Sequence, residues 1–325
     1  MPETQGVTTG PRPSLLSVDA PQWPHVRPDR GHYESYFLRA FDPTRPRAVW
    51  IRYTLVRPPG GTPTGQLWCT LFDRSARAPR AARVDAGEPA TGDGAWIRLG
   101  DSVFGVGQVH GSADGTSWSL RFPDGEPPLR HFPERWMYTG RVPRTKLVSV
   151  TPSTVFDGTL SIDGEQIAVD GWPGMVGHNW GEEHATRWIW VHGVGFDGAG
   201  PDTWLDLAIA RVRWGRLTTP WVANGVLSVD GRRTRIGGLR RHVTVTETDT
   251  GCDVRIPGAE VTVTASVSAP EQDFVTWDYP APRAAESRVV HCSVADISVR
   301  VDRAEGPPVD LEATARAAYE LGREG

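Results

Sequence analysis

Trp188-Ile189-Trp190-Val191-His192-Gly193-Val194-Gly195-Phe196 reads as a β-strand. At a period of two, Trp188, Trp190, His192, Val194 and Phe196 share one face, and Ile189 and Val191 the other. Both faces are largely apolar, so neither is suited to open solvent. Asp197-Gly-Ala-Gly-Pro-Asp202 then turns the chain into Thr203–Arg211. There Trp204, Asp206, Ala208 and Ala210 share a face opposite Leu205, Leu207 and Ile209. If the two runs pair as a hairpin, a one-residue slip decides whether Asp206 sits beside His192 or behind it.

Working outward, residues 172–221 hold Trp172, Trp180, Trp188, Trp190, Trp204, Trp214 and Trp221, half of the protein's 14 tryptophans. Indole carries a large apolar area and one N–H that needs a partner when buried. The concentration fits either a cavity for a flat or polyene-like ligand or a densely packed core. Just upstream, Gly174-Met-Val-Gly-His-Asn-Trp-Gly-Glu-Glu-His184 places glycines around His178, Asn179 and Trp180. Glu182, Glu183, His178 and His184 offer acid, base and hydrogen-bonding groups at a cavity mouth, although a solvated turn is the plainer reading of Glu183 and His184. The run lacks His-Glu-x-x-His spacing and no helix is expected to align it, so a metal is not expected.

The rest of the chain is dominated by alternation, punctuated by Gly, Pro and Asp-Gly. Strands are expected at Ala48–Val56, Gln66–Phe72, Ala95–Leu99, Ser117–Phe122, Met137–Arg141, His242–Thr246, Cys252–Ile256, Glu260–Val267 and Val289–Val301. Asp163-Gly164 and Asp230-Gly231 each separate two strand-like runs, as a type I′ hairpin turn requires. Two segments read as helix. Leu311–Leu321 is Ala-rich, can be capped by Asp310, and has a stripe of Leu311, Ala315, Ala318 and Leu321. A turn over Glu34–Ala40 is the weaker candidate. Without helical crossovers, parallel α/β folds are excluded and antiparallel barrels or sandwiches remain. A boundary near 142–152 divides the chain into a flexible segment 1–28, a β-domain 29–147 and a C-terminal β-domain 148–325 that ends in the helix 311–321.

Composition narrows the function. A formal charge of −4, with Arg interleaved among Asp and Glu, argues against nucleic-acid binding. No run approaches a membrane-spanning length, and the N-terminus lacks the basic start and apolar core of a secretory signal, so a cytoplasmic protein without integral membrane association is expected. Cys69, Cys252 and Cys292 are odd in number and far apart, and buried free thiols are expected over a Cys252–Cys292 bridge. Gly193-Val-Gly-Phe-Asp-Gly198 matches the dinucleotide fingerprint by letter, but a strand follows it rather than a helix. Gly115-Thr-Ser-Trp-Ser119 lacks the second glycine of a nucleophile elbow.

The stretch Gly177-His-Asn-Trp-Gly-Glu-Glu…Arg187-Trp-Ile-Trp-Val-His192, with Thr154–Gly164 and Gly31–Arg39, resembles lipocalin-like proteins related to tocopherol cyclases, carotenoid hydratases (CrtC/AttH-like) and decalin-forming Diels–Alderases. The resemblance implies an all-β chain of two lipocalin-like antiparallel barrel or sandwich domains enclosing a ligand cavity. It also implies isoprenoid or polyene-like substrates and chemistry without cofactors: alkene protonation or hydration, cyclisation or a pericyclic step. The chain departs from tocopherol-cyclase-like sequences at His184-Ala185-Thr186, where those carry Phe-Pro, and at His192, often Gln. Substrate and acid residue therefore do not transfer.

The resulting expectation is an enzyme, of lyase or isomerase class, acting on a hydrophobic terpenoid or polyketide. Asp206, His192 and Glu182 are its catalytic candidates, and Trp180, Trp188, Trp190, Trp204, His178 and Asn179 line the substrate. Burial is expected to raise the pKa of Asp206 so that it stays protonated and donates. The competing readings are a non-catalytic carrier with the same pocket and a purely structural Trp core. The oligomeric state is not readable from the sequence.

Overall fold

A computed structural model describes residues 17, 19–215, 217–283 and 285–324, with Trp214 described by its backbone alone. The first twelve strands are β1 (His32–Phe41), β2 (Arg47–Arg57), β3 (Thr64–Asp73), β4 (Arg80–Asp85), β5 (Pro89–Gly92), β6 (Ala95–Leu99), β7 (Ser102–Gly105), β8 (Gln108–Ala113), β9 (Thr116–Arg121), β10 (Leu129–Arg130), β11 (Thr145–Ile162) and β12 (Glu165–Gly181). They form one antiparallel sheet, ordered β4-β3-β2-β1-β12-β11-β9-β8-β7-β6-β5, with β10 on β11. The helical turn α1 (Trp136–Thr139) precedes β11.

The second half contributes β13 (Arg187–Val194), β14 (Trp204–Arg211), β15 (Arg213–Trp214), β16 (Leu217–Thr218), β17 (Val222–Val229), β18 (Arg232–Gly237), β19 (Thr244–Thr248), β20 (Gly251–Pro257), β21 (Val261–Ser268), β22 (Val275–Tyr279), β23 (Ser287–Arg303) and β24 (Val309–Glu324). Their main sheet runs β18-β17-β14-β13-β24-β23-β21-β20-β19, with β22 on β23 and β15–β16 a separate ribbon. An Ile236–Gly258 bridge draws the β18 edge back toward the end of β20. Both sheets are curled and antiparallel, giving the all-β, two-part lipocalin-like architecture.

The hairpin turns follow their sequence chemistry. Asp163 and Gly164 lie at φ 51° and 85°, and Asp230 and Gly231 at 51° and 78°, the positive values that a type I′ turn needs. All three cysteines are free and buried.

Several local expectations are corrected. Leu311–Leu321 is not a helix but the middle of β24, paired with β13 on one side and β23 on the other. Its Ala content favours helix, yet Leu311, Ala313, Ala315 and Ala317 are buried in alternation with exposed Glu312 and Thr314. Pairing on both edges overrides local propensity. Glu34–Ala40 belongs to β1, and Met137–Arg141 overlaps α1 rather than forming a strand. The chain passes between the main sheets at residues 182–186, so the expected boundary after 147 falls inside β11.

Residues 1–16 and 18 of the expected flexible segment lie outside the described residues. The rest of it is tied down. Trp96 Nε1 donates to Asp19 Oδ2 at 3.1 Å and Tyr36 Oη to the Asp19 carbonyl at 2.9 Å. The backbone N–H groups of Gln22 and Trp23 donate to Glu34 at 2.8 and 2.7 Å.

Alternation sorts the side chains of β1 and β2 between two environments. Tyr36, Leu38, Val49, Ile51 and Tyr53 fill the first sheet's own core. Phe41, Ala48 and Trp50, on the other face, pack with residues of the second half. Phe37 meets Trp190 edge-on at 5.5 Å between ring centres. The cavity described below lies along this seam.

Candidate functional site

β13 and β14 pair with His192 directly opposite Asp206, Trp190 opposite Ala208 and Trp188 opposite Ala210. Trp190, His192 and Asp206 therefore share the face turned toward the first sheet. Asp206 is fully buried. It accepts from Trp190 Nε1 at 3.1 Å and from the Ser149 hydroxyl, and His131 Nε2 stands 3.6 Å away. Burial acts to raise its pKa, but the His131 imidazole and these donors outweigh it and hold the carboxyl down to about 2. The expectation of a protonated Asp206 is corrected: enclosure alone raises a carboxyl pKa, whereas enclosure among donors lowers it.

His192 is buried as well. Its Nε2 lies 2.9 Å from the Pro152 carbonyl and its Nδ1 3.4 Å from Arg39, whose Nη2 donates to the Ser293 carbonyl. Burial brings His192 down to about 4, with Asp206 opposing and Arg39 assisting the shift.

A cavity of about 310 Å³ lies beside this layer. Its wall includes Phe37, Met137, Leu147, Trp188, Trp190 and Leu239, and its polar groups include Arg52, Asn179, His184, Tyr279 and Glu320. Of the residues singled out from the sequence, Trp188, Trp190, Asn179 and His184 line it. Asp206 and His192 do not; they touch it only through Trp190.

The other candidates are placed elsewhere. Trp204 is wholly buried in the core, with the Arg233 guanidinium 5.0 Å from its ring centre. Glu182 is ion-paired with Arg30. His178 stacks on Tyr36 at 4.1 Å and on Trp180 at 4.5 Å, and its Nε2 lies 2.8 Å from Glu34. His178 and Trp180 thus serve the first sheet's core. Among the described residues, no group of three His, Cys, Asp or Glu is placed to hold a metal ion.

Three of the cavity's functional residues were not picked out from sequence. Glu320, from β24, accepts from Trp188 Nε1 at 2.9 Å and from Tyr279 Oη at 2.8 Å, with His291 Nδ1 at 3.3 Å. Burial acts to raise its pKa, but the His291 contact and the remaining donors bring it down to about 2. Tyr279 is pushed well above the usual phenol value, first by burial and then by the Glu320 charge. Arg52 extends from β2 and is 4% exposed. Its guanidinium lies 3.9 Å from the centre of the Tyr279 ring.

His184, read from sequence either as a polar group at a cavity mouth or, more plainly, as a solvated turn residue, lines the cavity. Its ring lies 4.2 Å from that of Tyr33 and stacks on Trp188 at 5.5 Å. Burial and the nearby Arg52 charge lower it to about 4, against a contact to the Pro280 carbonyl at 3.3 Å that acts the other way. It is therefore neutral at physiological pH, with Nε2–H directed at that carbonyl and a lone pair on Nδ1.

Signals for the missed residues existed. Arg52 is the charged member of an otherwise apolar run, Val49-Trp50-Ile51-Arg52-Tyr53, and shares Trp50's face at a period of two. Glu320 was hidden by reading its segment as an amphipathic helix.

Comparison with known proteins gives the same architecture. No family model matches the chain. An uncharacterized protein of Mycobacterium tuberculosis, matched alike in strains H37Rv and CDC 1551, is 26% identical over 290 residues, 88% of this chain and 85% of that protein. Among solved structures, kievitone hydratase from Nectria haematococca aligns over 99% of this chain and 96% of its own, with a TM-score of 0.57 and 11% identity. An AttH-like protein from Nitrosomonas europaea aligns over 97% and 98%, with a TM-score of 0.55 and 15% identity. At these identities the likeness establishes the fold. No helix among the described residues is long and apolar enough to cross a membrane.

Proposed function

We propose that the protein is an enzyme of the hydro-lyase type that adds water to, or removes it from, a hydrophobic small molecule held between the two sheets. The observation that carries this reading is one cavity with an aromatic wall of Trp188, Trp190 and Phe37 and a polar end of neutral His184, Arg52, Tyr279 and Glu320. Few, convergent polar groups in an apolar enclosure suit a small-molecule site. The solved hydratase with the same fold is consistent with this reading.

Chemically, the proposal needs only acid–base and electrostatic groups. His184 takes a proton from water as its oxygen bonds to an electron-poor alkene carbon. The same imidazole returns that proton to the neighbouring carbon, so no net oxidation occurs. Arg52 faces the negative charge that develops on a conjugated oxygen. Asp206 acts behind the wall, holding the Trp190 indole through its N–H.

The test is incubation of the protein with a lipophilic cell extract in heavy-oxygen water, followed by mass spectrometry. A compound that gains labelled water with the native protein, and not with His184→Ala, supports the proposal. A ligand retained but recovered unchanged replaces it with carriage, the reading that the already ionised, donor-saturated Glu320 favours.

A further inference from the structure

We infer that the ligand presents an acidic oxygen group, a carboxylate or an acidic enol, to Arg52. This rests on the proposed cavity function and names the substrate class for it. The Arg52 guanidinium is almost wholly buried, and its Nε has no hydrogen-bond partner. Among the described residues no carboxylate lies within ion-pairing distance of it. Asp206 and Glu320 are the carboxylates of this layer, and both are occupied by other donors, so the Arg52 charge reaches Glu320 only at longer range, without an ion pair.

What surrounds Arg52 instead is aromatic. Tyr279 lies 3.9 Å from the guanidinium, and the Trp68 and Trp50 rings are centred 5.8 and 6.0 Å away. Stacked rings stabilise the cation through its flat face and leave the N–H edge unfilled. A buried charge without a hydrogen-bonded partner is costly in a folded protein, and the cost falls when a partner arrives. The guanidinium edge matches two oxygens of one planar acid in a fork, which ammonium does not do. A second cation, Arg83, stacks on the Trp68 ring at 4.2 Å.

The rest of the cavity fixes the remainder of the ligand. Trp188, Trp190, Phe37, Met137 and Leu239 offer no charge, so the body that follows the acidic head is apolar. Asn179 and His184 are neutral and do not compete with Arg52 for an anion.

Laurate, its methyl ester and 1-dodecanol are suitable probes, titrated at neutral pH against the intrinsic Trp fluorescence of the full chain. Laurate is expected to bind about tenfold tighter than the ester, a difference of about 1.4 kcal/mol. Arg52→Met should abolish that preference, lowering laurate affinity to the level of the ester in the same variant. Arg52→Lys, which keeps the charge and loses the fork, should retain part of it and so separates head-group recognition from misfolding. Equal affinity for laurate and ester in the native protein overturns the inference and leaves the apolar cavity standing. Binding of none of the three overturns both.

Discussion

Glu34 and Glu320 are both buried, and each is held ionised by neighbouring donors, yet they sit in opposite kinds of surroundings. Glu34 is wholly enclosed in the first sheet's core and receives the N–H groups of Gln22 and Trp23, with His32 Nε2 at 3.0 Å and His178 Nε2 at 2.8 Å. Glu320 receives Trp188 and Tyr279 and lies against His291, but it borders the cavity, and Arg52 beside it has no carboxylate of its own. Burial of a carboxylate therefore does not mark a functional site. The contrast lies instead in the cavity that Glu320 and Arg52 line together.

The sharpest way to break this contrast is Glu34→Ala. It removes a buried acceptor shared by two histidines and two backbone N–H groups and should cost about 3–5 kcal/mol, read as a shift in the denaturation midpoint. Glu320→Gln keeps its shape next to a cavity that water can enter. It should cost only about 1–3 kcal/mol while changing ligand affinity by a larger factor than stability. A similar cost for the two variants would erase the distinction.

Gly322→Ala probes the cavity wall from behind, since a Cβ there would meet the Trp188 ring at 2.0 Å. Displacing that indole should cost about 1–3 kcal/mol and weaken ligand binding. Unchanged binding would place Trp188 outside the functional wall. Trp190→Phe removes one donor from Asp206 and should cost about 1 kcal/mol, with Ser149 and His131 still in place.

Acid links both regions. Glu34, Glu320 and Asp206 are each lowered to about 2 from ordinary values of 4.5, 4.5 and 3.8, and His184 and His192 to about 4 from 6.5. In every case the unfolded chain binds the proton more readily than the folded one. These contributions are thus complete above the unfolded pKa and lost on acidification. Thermal stability should fall first below about pH 6.5 through the histidines, then more steeply below about 4.5 through the carboxylates. A midpoint constant from neutrality to pH 3 would contradict this assignment.

The fold was largely legible because alternation and Asp-Gly turns are local properties that the chain repeats. The Trp188–Phe196 strand, its partner Thr203–Arg211 and the I′ hairpins could be placed from spacing alone. β24 was not, because Ala, Glu and Arg favour helix until two neighbouring strands claim both edges. That error carried Glu320 out of view. At the site, the apolar wall could be read in part from Trp188 and Trp190. Of the polar end only His184 was in view, because Arg52, Tyr279 and Glu320 come from distant parts of the chain and meet it only when the sheets face each other. The state of Asp206 depended on Ser149 and His131, which no reading of its own strand supplies.

One last feature bears on how the molecule tolerates cutting. The stretch from Asp19 to Trp23 is pinned to the first sheet, supplying main-chain donors to Glu34 and acceptors to Tyr36 and Trp96. Trimming the chain ahead of Gly31 would remove that stretch and leave an anion short of two of its donors. A protease that clips there would loosen β1 around Glu34, far along the chain from Trp188 and Trp190 of the cavity wall.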